Sequence, residues 1–378
     1  MKIKDFGVER WMDKYENDAV YNVAETCVDS LTVGEFLNMT GNPQKAVEDI
    51  LEMRLTYGEI PGSERLRKGI AGLYFSLAPS NVLVMNGGSA SNFLAMYTLV
   101  EPGDHVISVN PTYQQLQSIP ESFGAEVEIL QLEAEDNFLP GVKKLSQMVR
   151  PNTKVICINN PNNPTGSVMS RALLEEIVDI AESCDAWIHC DEVYRMLVHE
   201  PGGQIPSISD IYEKGVSVGS MSKAFSLAGL RLGWIAANED FIAECMIRRD
   251  YTNISCGMID DYLAALALEN KEMLLERNLG IVRQNIEILD RWVNEEPRIS
   301  YIRPEAGTTA FVGYDYNISS EDLCRRLIEK NGTFLVPGSC FGMDKWFRIG
   351  YAFDPHVLEK GLKGISELLR ELETEGLM

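Results

Sequence analysis

Short runs of consecutive apolar residues alternate with amphipathic stretches through the middle of the chain. Runs at 82–85 (VLVM), 105–109 (HVISV), 154–158 (KVICI), 186–190 (AWIHC) and 215–219 (GVSVG) predict buried strands, and residues 90–100 predict a helix after the first of them. A strand that is apolar at nearly every position has both faces covered, which predicts a mostly parallel sheet between helical layers. From about residue 260 the pattern changes. Residues 260–270 and 271–296 read as helices, the second long enough to join two bodies. Strands follow at 299–303 and 308–314, then a helix from Ser319, short strands at 334–336 and 346–350, and an amphipathic helix after Asp354. Strands and helices without strict alternation predict an α+β part. The first 45 residues are weakly periodic and are expected to pack on that part. The expectation is an α/β protein with a large domain over 46–275 and a smaller domain built from 1–45 and 276–378.

Composition excludes several classes. The 378 residues are 45% hydrophobic and carry 34 Lys+Arg against 56 Asp+Glu, a formal charge of −22. That apolar content rules out disorder as the main state. So acidic a surface repels phosphate backbones and anionic membranes, so neither nucleic acid nor a membrane is expected as a partner. No apolar run approaches the roughly 20 residues of a membrane span, and the charged N-terminus lacks the apolar core of a secretory signal. A cytoplasmic protein is expected. The eight cysteines, at 27, 157, 184, 190, 245, 256, 324 and 340, form no Cys-x-x-Cys pair and have no His at zinc-like spacing. Buried free thiols and no metal site are the expectation.

The strongest chemical signal is SMSKAFSLAGLRLGW at 220–234. Lys223 lies just past a buried strand and eight residues before Arg231, and both desolvation and a nearby cation lower an amine's pKa toward that of a nucleophile. Three segments at the ends of other strands supply context. The segment 86–91 (NGGSAS) opens a helix whose free N–H groups and dipole favour a phosphate. The segment 160–166 (NPNNPTG) has the prolines and glycine to hold Asn163 rigidly with its amide toward a ligand oxygen, although a plain turn has the same composition. The segment 191–194 (DEVY) ends a strand. Asp191 there is either a helix N-cap or a buried carboxylate kept ionised by a cationic ring nitrogen, with Tyr194 presenting its hydroxyl to the same place.

Together with YGEIPGSERLR at 57–67, these segments resemble the class I/II aminotransferases, fold type I enzymes dependent on pyridoxal 5′-phosphate. The resemblance implies that Lys223 forms a Schiff base with the cofactor and shuttles the proton of the substrate's α-carbon. It implies that Asp191 pairs with the ring nitrogen, that Asn163 and Tyr194 bond the phenolic oxygen, and that Tyr113 stacks on the ring. The phosphate would sit on the amides of Ser89 and Ala90, with Ser220, Ser222 and Arg231 adding hydroxyl and guanidinium contacts. Tyr57 would reach the phosphate of a neighbouring subunit in a homodimer. Arg348, in WFRIG at 346–350, would grip the substrate α-carboxylate, with Asn163 beside it. Two departures stand out: residues 22–28 (NVAETCV) lack the glycine that usually lies beside the substrate, and Ala90 replaces a frequent threonine.

The implied activity is transfer of an amino group from an L-amino acid to a 2-oxo acid. The same lysine and ring also support β- or γ-elimination and cyclisation, because the carbanion is common to all. Two other classes fall away. Ser220-Met-Ser-Lys223 fits the Ser-x-x-Lys of serine acyl-enzymes, but the companion Ser-Asp-Asn and Lys-Thr-Gly segments are missing. A transcription regulator on this fold would need a DNA-binding segment ahead of the lysine domain, where the chain offers only about 45 residues, and the charge of −22 also argues against it.

Overall fold

The computed structural model describes residues 2–378. Its strands are β1 (Tyr21–Asn22), β2 (Val82–Met85), β3 (His105–Asn110), β4 (Glu126–Gln131), β5 (Thr153–Asn159), β6 (Trp187–Asp191), β7 (Gly215–Ser220) and β8 (Gly233–Ala236), followed by β9 (Ile299–Tyr301), β10 (Thr309–Tyr314), β11 (Thr333–Phe334), β12 (Val336–Pro337) and β13 (Trp346–Gly350). Seven of them form one sheet in the order β2-β8-β7-β6-β5-β3-β4. Pairings among β7, β6, β5, β3 and β4 are parallel, whereas β8 runs antiparallel to both β2 and β7.

Period-2 alternation divides each strand between two cores. On β5, Val155 and Cys157 join one cluster with Val106, Val216 and Ile235, while Ile156 and Ile158 join another with Ile107, Ile188 and Trp234. The helix Gly88–Leu99 covers the first face through Leu94, Met96 and Leu99. The helix Arg171–Ser183 covers the second through Leu174, Ile177 and Ala181. Every aliphatic side chain so enclosed is worth about 1.5–3 kcal/mol relative to exposure, which is why runs such as VICI tolerate no polar position.

All five strands expected in the middle of the chain are present, but two others carried no such run. On β4, an edge strand, most side chains are exposed or half-buried, so EVEILQ lacks a continuous apolar pattern. β8 is only four residues long and starts on Gly233. The expected strand 334–336 divides at Leu335 into β11, which pairs in parallel with β1, and β12, which pairs with β13. The order β12-β13-β10-β9 makes a second, antiparallel sheet, and the 25-residue helix Lys271–Glu295 connects the regions of the two sheets. Near the N-terminus lie the helices Gly7–Tyr15, Val33–Met39 and Pro43–Glu52. The first lies against the segment between β11 and β12, Trp11 donating its indole N–H to Leu335 O at 2.8 Å. All eight cysteines are free thiols, six of them buried. Among the described residues no helix is long and apolar enough to cross a membrane.

Candidate active site

The parallel strands deliver their carboxyl ends to one edge of the large sheet, where ligands of open α/β sheets bind. Asn159 and Asp191 are register partners at the ends of β5 and β6, and Ser220 ends β7. Tyr113 follows β3, Asn163 follows β5, and Ser222 and Lys223 follow β7. All of these side chains line one cavity of about 550 Å³. Its opposite wall comes from residues 24–27, from Arg348 on β13, and from Phe6, Glu9 and Met12 at the N-terminal helix.

Lys223 Nζ lies 2.5 Å from Thr26 Oγ1 and 3.5 Å from Cys27 Sγ. The expected lowering of its pKa is not what the structure supports. Burial does pull the amine down, but Tyr194, Cys27, Glu25 and Tyr113 together outweigh it and the net direction is up. Arg231, the cation invoked from sequence spacing, lines the same cavity with its guanidinium at the Gly87 turn. Lys223 is therefore an ammonium at neutral pH in the free chain. Burial pushes the Cys27 thiol up, so the neighbouring sulfur is protonated.

Asp191 is not a helix cap. It is a buried carboxylate, raised by burial, that takes hydrogen bonds from Asn92 Nδ2 at 2.9 Å and from the Val193 N–H at 3.3 Å. Because the Asn92 amide donates to Asp191, its Oδ1 must accept, and His189 Nε2 supplies the proton at 2.9 Å. Sequence reasoning missed this chain. Burial pulls His189 down to about 3, so its ring is neutral. The unfolded chain has that imidazole near its ordinary 6.5. Between these values the unfolded state binds the extra proton, so stability falls as pH falls through that window. Urea unfolding should accordingly show a shallower loss of stability from about pH 7 to pH 5 in His189→Asn than in the wild type; equal slopes would contradict a buried neutral ring.

An anion cradle stands beside Asp191. Gly87 precedes the helix Gly88–Leu99 at φ +92°, and a Cβ there would come within 2.8 Å of Arg231 Nη2, so glycine is required for both the turn and the guanidinium's approach. Ser89 and Ala90 occupy the first turn of that helix. Ser89 lines the cavity, whereas the Ala90 side chain packs on the core. Ser220 Oγ accepts the Ser222 N–H at 2.8 Å, which fixes the serine pair across from the helix end. Tyr113 Oη lies 3.5 Å from Ser89 Oγ and donates to Glu9 Oε1 at 3.2 Å. Burial, reinforced by Glu9, pushes this phenol up to about 12. Tyr57 is the one expected site residue the single chain leaves elsewhere: it is 73% exposed and lines a separate surface hollow with Met258 and Tyr262.

The buried guanidinium of Arg348 donates from Nη2 to Ala24 O at 3.2 Å and from Nη1 to Asn163 Oδ1 at 3.5 Å. Asn163 is itself held by its N–H donating to Asn159 Oδ1 at 2.6 Å. Arg348 Nε and Tyr194 Oη are both buried with no partner among the described residues. Orphaned polar atoms on a cavity wall signal a ligand that supplies their partners. The donor set suits a group with an aldehyde within reach of an amine, a basic ring nitrogen for a lone buried carboxylate, and a phosphate for the helix end.

Comparison with known proteins agrees with this chemistry. The family described as aminotransferase class I and II matches residues 28–365. The crystal structure of a PLP-dependent aminotransferase from Streptococcus suis is 45% identical and superposes with a TM-score of 0.96, covering 98% of this chain and 99% of that one. Capreomycidine synthase of Streptomyces vinaceus is 29% identical over 96% of this chain and 93% of its own length. Aspartate aminotransferase of Thermotoga maritima is 28% identical over 90% of this chain and 91% of its own.

Proposed function

This chain belongs to the class I and II aminotransferases, pyridoxal 5′-phosphate enzymes of fold type I, and from that premise we propose that it moves an amino group from an L-amino acid to a 2-oxo acid with Lys223 as the central base. The observation that carries the reading is the meeting of Lys223, Asp191 and Arg348, whose Nε has no partner among the described residues, on the walls of one cavity. When bound, pyridoxal 5′-phosphate supplies a carbonyl that takes up an amino group and a ring that accepts the electron pair left on the α-carbon.

The protein's own residues do the rest. The helix end at Gly88, with Ser89, the Ala90 amide, Ser220, Ser222 and Arg231, holds the phosphate. Asp191, oriented by Asn92 and through it by His189, keeps a negative charge against the ring nitrogen. Asn163 and Tyr194 offer their amide and hydroxyl to the ring's phenolic oxygen, and Tyr113 flanks the ring. Arg348 fixes the substrate α-carboxylate, which orients the α-carbon for proton removal. Lys223 Nζ takes that proton and returns it one position away. Thr26, the hydroxyl on Nζ, holds the amine facing the cavity.

We place the enzyme in a homodimer. Tyr57 and its neighbours Leu51 and Leu55, at 79% and 81% exposure, offer an apolar surface that a second copy would cover, bringing Tyr57 to the partner's phosphate.

A single-turnover experiment tests the transfer. An L-amino acid alone should convert the bound cofactor to its pyridoxamine form, and a 2-oxo acid should restore it; failure with all twenty common amino acids would contradict the reading. A second reading, a lyase or cyclase, is favoured by the likeness to capreomycidine synthase over almost the whole chain. It predicts product from the amino acid alone, with the cofactor left as the aldehyde. For Arg348→Ala we expect KM to rise about 10- to 100-fold, matching the roughly 1.5–3 kcal/mol of a charge-assisted contact, with the cofactor spectrum unchanged. An unaltered KM would place the carboxylate anchor elsewhere.

A further inference from the structure

Resting on the reading of the site given above, we propose that the amino acid taken by this enzyme has a cationic side chain, a guanidinium or primary ammonium, received by Glu25 and Glu9. The cavity has three cationic side chains among the described residues, Lys223, Arg231 and Arg348. Lys223 is the base, Arg231 belongs to the anion cradle at the helix end, and Arg348 is the remaining partner for the α-carboxylate. Within one chain no cation is left for a second carboxylate on the substrate.

The substrate side of the same cavity instead has two acids. Glu25 follows Ala24, whose carbonyl holds Arg348, so both lie on one loop. One oxygen of Glu25 accepts the backbone N–H groups of Thr26 at 2.7 Å and Cys27 at 2.8 Å. Burial would push this carboxyl up, but those two donors and nearby Lys223 bring the net direction down, so it is ionised at neutral pH. The second oxygen is left for a ligand. Glu9 faces the cavity from the N-terminal helix, held by Tyr113 through one oxygen at 3.2 Å. Phe6, its ring 4.9 Å from that of Tyr113, and Met12 supply an apolar wall beside the acids. An apolar wall ending at carboxylates suits a methylene stem with a charged tip.

Two independent orphans mark the cavity as a ligand site: Arg348 Nε and Tyr194 Oη, 3% and 2% exposed residues with no partner for these atoms among the described residues. Arg348 fixes one end of the substrate, and the acids on the neighbouring loop and helix then select the other. Two carboxylates on the cavity wall also repel an acidic side chain, which adds discrimination by exclusion.

The test uses holoenzyme with L-arginine, L-lysine, L-citrulline and L-aspartate. Citrulline matches arginine in shape without its charge. Half-reaction rates are read from the cofactor's absorbance, and dissociation constants from its spectral shift on binding. Arginine or lysine should bind and convert at least about 10-fold better than citrulline, with aspartate weakest. The arginine-over-citrulline ratio should fall roughly 10- to 100-fold in Glu25→Gln, which retains an oxygen for the two backbone donors, and less in the surface variant Glu9→Gln. Faster conversion of aspartate or citrulline, or a ratio unmoved in both variants, would overturn the inference. Tight arginine binding without formation of the pyridoxamine form would sink the transamination reading and leave this one standing.

Discussion

Lys223→Ala lowers kcat by at least about 10⁴-fold, the upper end of what a positioned acid–base group contributes, since the same amine also makes the covalent link. The magnitude follows from what else the cavity contains. Its other two cations are arginines, which cannot lose a proton in a protein, so neither can replace the amine. The neighbouring hydroxyl and thiol, Thr26 and Cys27, are protonated, the thiol pushed up by burial. Lys223→Arg should be as inactive as the alanine variant, because it preserves charge and reach but not the ability to deprotonate. Small exogenous amines such as methylamine should restore part of the rate in Lys223→Ala and none in the wild type. Steady-state turnover above about 1% of wild type in Lys223→Ala would remove the residue from its role.

Asp191→Asn has the second largest expected effect, a loss of about 10²–10³-fold in kcat together with faster loss of cofactor on dialysis. A charge fixed in advance in a water-poor site is worth more than a mobile one, and its removal typically costs that range. Asparagine conserves volume but keeps one acceptor oxygen for two donors, Asn92 Nδ2 at 2.9 Å and the Val193 N–H at 3.3 Å. Leaving a buried donor unpaired adds about 1–3 kcal/mol to the cost. Asn92→Ala should act in the same direction but more weakly, because the Val193 N–H still reaches Asp191. kcat within about 10-fold of wild type in Asp191→Asn, with cofactor retained, would mean that the carboxylate is structural.

The sheet interior was legible because both faces of its parallel strands are covered, which forces runs such as VISV and VICI. The edge strand β4 was illegible for the converse reason, being half in water, whereas the fully buried β8 has only Trp234 and Ile235 between a glycine and an alanine, too short an apolar run to stand out. The residues on the strand ends, Asn163, Asp191, Tyr194 and Lys223, could be singled out because each lies within a local segment of unusual composition. Those missed arrive by long-range packing. Glu9 and Phe6 reach the cavity because Trp11 is tied to Leu335 across 324 positions, and the ends of that helix carry no sign of the contact. Asn92 and His189 meet across 97 positions, on a helix and a strand whose sequences look merely buried. The direction of the Lys223 shift was misread because burial was weighed without the Tyr194, Cys27 and Glu25 side chains that the fold brings around the amine.

In the reading proposed here, Lys223 is the residue to which the cofactor is joined in the resting protein. Borohydride reduction of the purified holoenzyme followed by proteolysis and mass spectrometry tests it directly. The peptide spanning position 223 should carry a single phosphopyridoxyl group on its lysine, with loss of the visible absorbance. A colourless protein with that peptide unmodified, or the same group on any other lysine, would contradict the account.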